Sequence, residues 1–255
     1  MDGGTGCRDD ARMETLEVTA MGAVFLLAGG VKGLTGMGLP TVAVSLLGLW
    51  MAPVEAAALL VAPSLATNIA QCRGPHARRL ITVLWPAWLA LAVVAVWAPR
   101  LDTSASALPA HRLLGAALVL YGVWGLWRPV LPVLPPRASL LGLVIGAVTG
   151  LVTAATAVFV LPLVPYLQAL RLDKAAMVQA LGMSFTVATL ALAIRVQSSG
   201  GLALLSPHAA VAFAAAFGGL WLGTLMRDRI SLQVFQRSLF LVFIGLGAAN
   251  WLRGA

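Results

Sequence analysis

The sequence predicts an all-α polytopic membrane protein. It would hold two inverted repeats, each an interrupted or re-entrant helical hairpin plus three transmembrane helices, roughly 8–10 membrane segments in all. Three observations predict this. The 255 residues are 60% hydrophobic and 10% charged, with mean hydropathy +0.93, whereas a soluble domain carries about 25% charged residues. Apolar runs long enough to cross a bilayer follow one another with only short polar turns between them. The pattern of run lengths also restarts after a proline-rich linker.

In chain order, residues 1–17 are a polar tail of mixed charge with no cleavable leader, so the first span should act as its own signal. Repeat 1 covers 18–127. It opens on an apolar block from Val18 to Ala52, interrupted by Gly29-Gly30-Val31-Lys32-Gly33-Leu34-Thr35-Gly36-Met37-Gly38-Leu39-Pro40. Spans follow at 54–71, 80–98 and 112–127, separated by the basic turn Arg73–Arg79 and a short loop at 100–111. Trp85, Trp88 and Trp97 read as interfacial anchors. The linker 128–138, with Pro132, Pro135 and Pro136, cannot continue a helix. Repeat 2 covers 139–252. Gly146-Ala147-Val148-Thr149-Gly150-Leu151 echoes Gly29-Gly30-Val31-Lys32-Gly33-Leu34, and 146 − 29 gives an offset of 117. Further spans are expected at 175–194, 207–226 and 231–252.

Each opening block is too short to cross twice at full length, and too long to cross once. A hairpin of shortened helices resolves this and begins and ends on one side. Charge supports it. Hairpins put Arg73, Arg78, Arg79, Arg128, Arg137, Arg171, Lys174, Arg227, Arg229 and Arg237 on one side, against Arg8, Arg12, Arg100, Arg112, Arg195 and Arg253 on the other. Single crossings split the same residues more evenly. The richer side should be cytoplasmic.

Net charge is 17 − 9 = +8. Positive-inside loops account for most of it, and a field favouring an anion is a second reading. Beyond Glu17 only Glu55, Asp102, Asp173 and Asp228 are acidic, which argues against a carboxylate cation site. The basic residues are scattered, so nucleic acid is not an expected partner. Cys7 and Cys72 should lie on opposite sides and stay unpaired. No protease, esterase or Cys/His ligand motif is present, so no catalytic set, metal site or cofactor is expected.

The glycine-rich stretch admits two readings. Gly29/Gly33 and Gly146/Gly150 have small-xxx-small spacing, which lets helices pack closely. Alternatively, residues 35–38 are unwound, and backbone N–H groups at a helix start face an anion. Lys32 either snorkels to the surface or supplies the site's charge. Ser64, Asn68 and Gln71 share one helical face, with Thr67 beside them, while Gln179, Ser184, Thr186 and Thr189 are the polar residues of the matching span. Glu55 either complements its helix start or couples a proton. Trp50, Phe159, Tyr166 and Phe185 could line an apolar subsite or simply pack.

These residues together resemble the sulfite exporter TauE/SafE family, also called the toluenesulfonate uptake permease family. The likeness spans about 18–252. It rests on the glycine-rich stretch heading each half, the P-x-x-x-x-N pattern of Pro63 to Asn68 before the basic turn, the run Phe159–Leu170, and the run Gln179–Thr186. It implies an inner-membrane permease for sulfite, a sulfonate or another small anion such as a carboxylate, not an enzyme. The bilayer and a small anion are the implied partners, with a homodimer left open. The family motif falls on Gly33, Thr35, Gly36 and Gly38, and its second copy on Gly150, Thr153 and Thr156; Ala154 and Ala157 stand where glycine is common. With Lys32, Asn68 and Gln179 these form the expected binding set, in the gap between the two hairpin tips. Alternating access would move one repeat or hairpin unit against the other.

Overall fold

A computed structural model describes residues 4–99, 110–127, 139–198, 206–227 and 229–252. The loop expected at 100–111, apart from its last two residues, and the linker 128–138 lie outside the described residues. Ten helices occupy the described residues, and no strand is found among them. They are α1 (Gly4–Thr35), α2 (Leu39–Leu47), α3 (Pro53–Gln71), α4 (Ala77–Trp97), α5 (Ala110–Trp127), α6 (Ser139–Thr156), α7 (Leu163–Ala169), α8 (Lys174–Gln197), α9 (Pro207–Met226) and α10 (Leu232–Leu252). Five carry stretches long and apolar enough to cross a membrane: 15–35, 77–97, 174–197, 207–226 and 233–252. The protein is therefore a multi-pass helical membrane protein.

Both opening blocks fold as a long helix, a break, and a short helix. α2 has 9 residues and α7 has 7, so at 1.5 Å per residue neither crosses a bilayer core of about 30 Å. Residues 39–45 of α2 are all buried, as expected for irregular backbone and short helices at depth.

Glycine sets how the long helices pack. Lipid tails are as apolar as leucine, so association depends on close contact more than on hydrophobicity. A methyl carbon placed on Gly29 would stand 2.1 Å from the Ala216 carbonyl oxygen, and one on Gly219 would stand 1.9 Å from that of Leu26. Gly33 meets Leu220 and Gly223 further along, so α1 and α9 run parallel. Gly146 meets Ala87, and Gly150 meets Leu91 at 2.7 Å, so α4 and α6 also run parallel. Gly115 against Gly247 and Gly122 against Phe240 make α5 and α10 antiparallel. α3 and α8 are antiparallel too, since Gln179 bonds the turn after α3 while Asn68 meets Thr189.

These directions place the ends. α1 and α3 both point to the end that carries the Arg73–Arg79 turn, because Gln71 at the close of α3 bonds Gly36 just past α1. The first block therefore enters and leaves at the opposite end. α6 starts at the basic end, beside the start of α4. Gln179, near the start of α8, bonds the backbone of Cys72, Gly74 and His76, so the second block returns to the basic end.

Candidate functional site

The site is built from the end of α1 and the second half of α3. Lys32 is in the last turn of α1 and is only 1% exposed. It does not snorkel. Its ammonium donates to Thr67 Oγ1 at 2.9 Å and, in a short bond, to Asn68 Oδ1. Asn68 is held in turn: its Nδ2 donates to Thr189 Oγ1 of α8 at 3.4 Å. Thr67 donates back to the Pro63 carbonyl at 2.7 Å. An ammonium has three donors, and only two find partners among the described residues. No carboxylate among them pairs with it either. One turn back along α3, the buried Ser64 hydroxyl has no partner among the described residues.

The two helix breaks are built alike. At the first, Thr35 Oγ1 donates to the Val31 carbonyl at 2.8 Å and accepts from the Met37 N–H at 3.2 Å. At the second, Thr156 Oγ1 donates to the Val152 carbonyl at 2.8 Å and accepts from the Val158 N–H at 3.2 Å. The next residue takes positive φ in both: Gly36 at 82° and Ala157 at 57°. The offset is 156 − 35 = 121. The glycines, by contrast, lie 117 apart. At 121, Lys32 matches Thr153 and Asn68 matches Thr189. Both breaks lie beside the middle of α8: Gly36 through Gln71, which packs on Gly182, and Phe159 through a ring contact of 5.1 Å with Phe185.

The expected set divides accordingly. Lys32 and Asn68 come together. Thr35, Gly36 and Gly38 form the unwound stretch beside them; Gly38 has φ 101° and precedes α2. Gly33 and Gly150 face the α9 and α4 seams, so the packing reading of those glycines is what the structure displays; Gly33 also lends its carbonyl to the Arg227 guanidinium at 2.8 Å. Thr153 is buried and donates to the Thr149 carbonyl of its own helix at 2.7 Å. Gln179 is committed elsewhere. Its amide donates to the carbonyls of Cys72 and Gly74 and accepts from the His76 N–H, so it holds the basic turn. Glu55 accepts from the Ala52 N–H at the exposed start of α3. Trp88, expected as an interfacial anchor, instead donates from Nε1 to Ser184 Oγ at 2.9 Å.

A cavity of about 270 Å³ lies against the first break, lined by Met37, Tyr121, Trp124, Gln168, Gln236 and Phe240. Trp124, Gln168 and Gln236 stand near the ends of α5, α7 and α10 that face the basic turn, and Gln168 is exposed, so the cavity lies toward the basic end. The aromatic residues expected around a subsite are elsewhere. Phe159, Phe185 and Tyr166 are buried in packing, and Trp50 is exposed.

A family model, sulfite exporter TauE/SafE, matches residues 21–250. The chain belongs to the TauE/SafE family. The match takes in all ten helices except the polar start of α1 and the last two residues of α10. TauE/SafE proteins are membrane transporters, which agrees with a multi-pass fold whose most deeply buried charge stands beside a helix break. No curated protein and no solved structure matches the chain.

Two of the site's members were visible only as neighbours in sequence. Thr67 sits beside Asn68 but off the counted face, and Thr189 is one threonine of several in α8. Their signal was the polar pair at 67–68, which one helix alone cannot aim at a lysine 35 residues earlier.

Proposed function

We propose that this TauE/SafE protein is an inner-membrane permease that moves a small sulfur-containing anion, a sulfonate or sulfite, by alternating access. One observation carries this reading: the Lys32 ammonium is buried without a carboxylate partner and keeps one donor unused. A charge in that setting costs several kcal/mol unless something of opposite sign joins it. A tetrahedral oxyanion supplies that sign and accepts the third N–H. The Ser64 hydroxyl and the N–H groups at the start of α2 are the further donors within the same region. Cavity access from the basic end would bring the anion to Met37.

The two halves, 18–127 and 139–252, would be inverted repeats. In support, the packing is mirrored. α1 on α9 corresponds to α6 on α4 with both directions reversed, and α3–α8 and α5–α10 are antiparallel pairs of equivalents. The glycine seams cross between halves, however. The moving bodies would then be α1 with α9 and α6 with α4, instead of one sequence half against the other.

The test is counterflow of labelled methanesulfonate, sulfite and acetate in proteoliposomes. Exchange of the sulfur anions is expected. Exchange confined to acetate would move the protein to carboxylates, and no exchange of any anion would sink the transport reading.

A further inference from the structure

We infer that Lys32 is also the proton carrier of this permease, so that each anion crosses together with a proton. This rests on the anion-transport reading above. Lys32 is almost wholly buried, and its two partners, Thr67 and Asn68, are neutral. Among the described residues, no element packed on it brings a balancing group. α2 has no titratable side chain. α9 offers His208 at its far start and Arg227 at its end, where the guanidinium bonds Gly33. α3 offers Glu55, engaged at the far exposed start, and Cys72, whose thiol bonds the Asn68 carbonyl. α8, behind Asn68, has Lys174 and Arg195 only at its two ends, and α10 has Arg237 near the basic end. Charges near Lys32 are therefore positive, and none is a carboxylate among the described residues.

Alternating access must carry this site between two water-facing forms with the anion, and return without it. Loaded, an ammonium and a monoanion make a neutral pair. Unloaded, the ammonium would be an unbalanced charge in an apolar surround. Release of the proton with the anion removes that obstacle. The step balances as Lys–NH₂ + H⁺ + A⁻ giving Lys–NH₃⁺·A⁻, with no net charge moved per cycle. Glu55, the coupling acid that the sequence offered, sits at an exposed helix cap and is not needed.

The experiment uses the full-length protein in proteoliposomes that contain a pH dye, with voltage clamped by potassium and valinomycin. Methanesulfonate is the probe, because its acid is ionised at any working pH. A methanesulfonate gradient is expected to drive proton movement in the same direction, at about one proton per sulfonate. Lys32→Arg keeps a permanent cation. Its net flux is expected to fall roughly a hundredfold more than its counterflow, in which the carrier always returns loaded. Sulfonate flux without proton movement in the unmodified protein overturns the inference, whatever the variant does. An unchanged ratio of net flux to counterflow in Lys32→Arg overturns it as well. No methanesulfonate counterflow in the unmodified protein removes the transport reading itself and the coupling with it.

Discussion

The two helix breaks share a backbone and differ in chemistry. Thr35 and Thr156 share two bonds, Thr35 Oγ1 standing in addition 2.7 Å from the Met37 carbonyl oxygen, and the residue after each turns to positive φ. At the first, that residue is glycine, a second glycine follows at 38, and a lysine stands one turn earlier. At the second, an alanine accepts the left-handed conformation, a threonine replaces the lysine, and the return strand packs through Phe159. Two helix breaks can thus have the same hinge geometry while only one holds a charge. In this protein the first break is the candidate site, and the second reads as its structural counterpart.

That contrast can be broken by exchange of chemistry between the two breaks. Lys32→Met should cost the largest effect, roughly a hundredfold in anion affinity, from the loss of charge-assisted bonds. Thr153→Val, at the matching position, should change affinity less than about threefold, since its hydroxyl bonds only its own helix. Isothermal binding in detergent checks both; equal losses would mean that the second break also holds anion.

The seams come next. Gly219→Ala must push α9 away from the Leu26 carbonyl and should destabilise the fold by about 1–3 kcal/mol, whereas Gly245→Ala, with nothing within 4 Å, should be silent. Thermal unfolding in detergent reads the difference. Smaller opposite effects are expected at the breaks themselves. Gly36→Ala should cost about 1 kcal/mol of backbone strain, and Ala157→Gly should return a similar amount. The nearest atom to a methyl on Gly36 is 3.9 Å away, so strain and not crowding is measured. Smallest is Asp173→Asn. The Ala176 N–H holds the Asp173 carboxyl below its ordinary range. Its cap therefore contributes stability above the usual carboxylate range and loses it as pH falls through the depressed value. The variant should lose that acid-side slope, while Glu55→Gln alters only the matching cap of α3.

Much of the fold was legible. Hydropathy and turn composition led to an expectation of eight to ten segments and, through block length, of two hairpins with shortened helices, because a bilayer sets span length almost independently of partner. Lys32 stood out for the same reason: a charge within an apolar run demands a partner. Less of the site was legible. Gly33 and Gly150 carry the same residue type as Gly36, and periodicity does not say which glycine faces a helix and which one turns the chain. Gln179 looked like a ligand because it is polar at the head of a span, yet the 72–76 backbone takes all its hydrogen bonds.

By itself, the sequence determined that the chain lives in a membrane, that two of its blocks are interrupted, and that one lysine sits at the first interruption. These follow from local cost: exposed backbone and unpaired charge are expensive in lipid wherever they occur. The tertiary structure alone decided which residues meet that lysine, that the two breaks share one hinge geometry, and that α1 is stitched to α9 and α4 to α6 by glycine seams. Those depend on how helices approach one another. Close approach is a property of two surfaces at once, which neither helix's sequence contains.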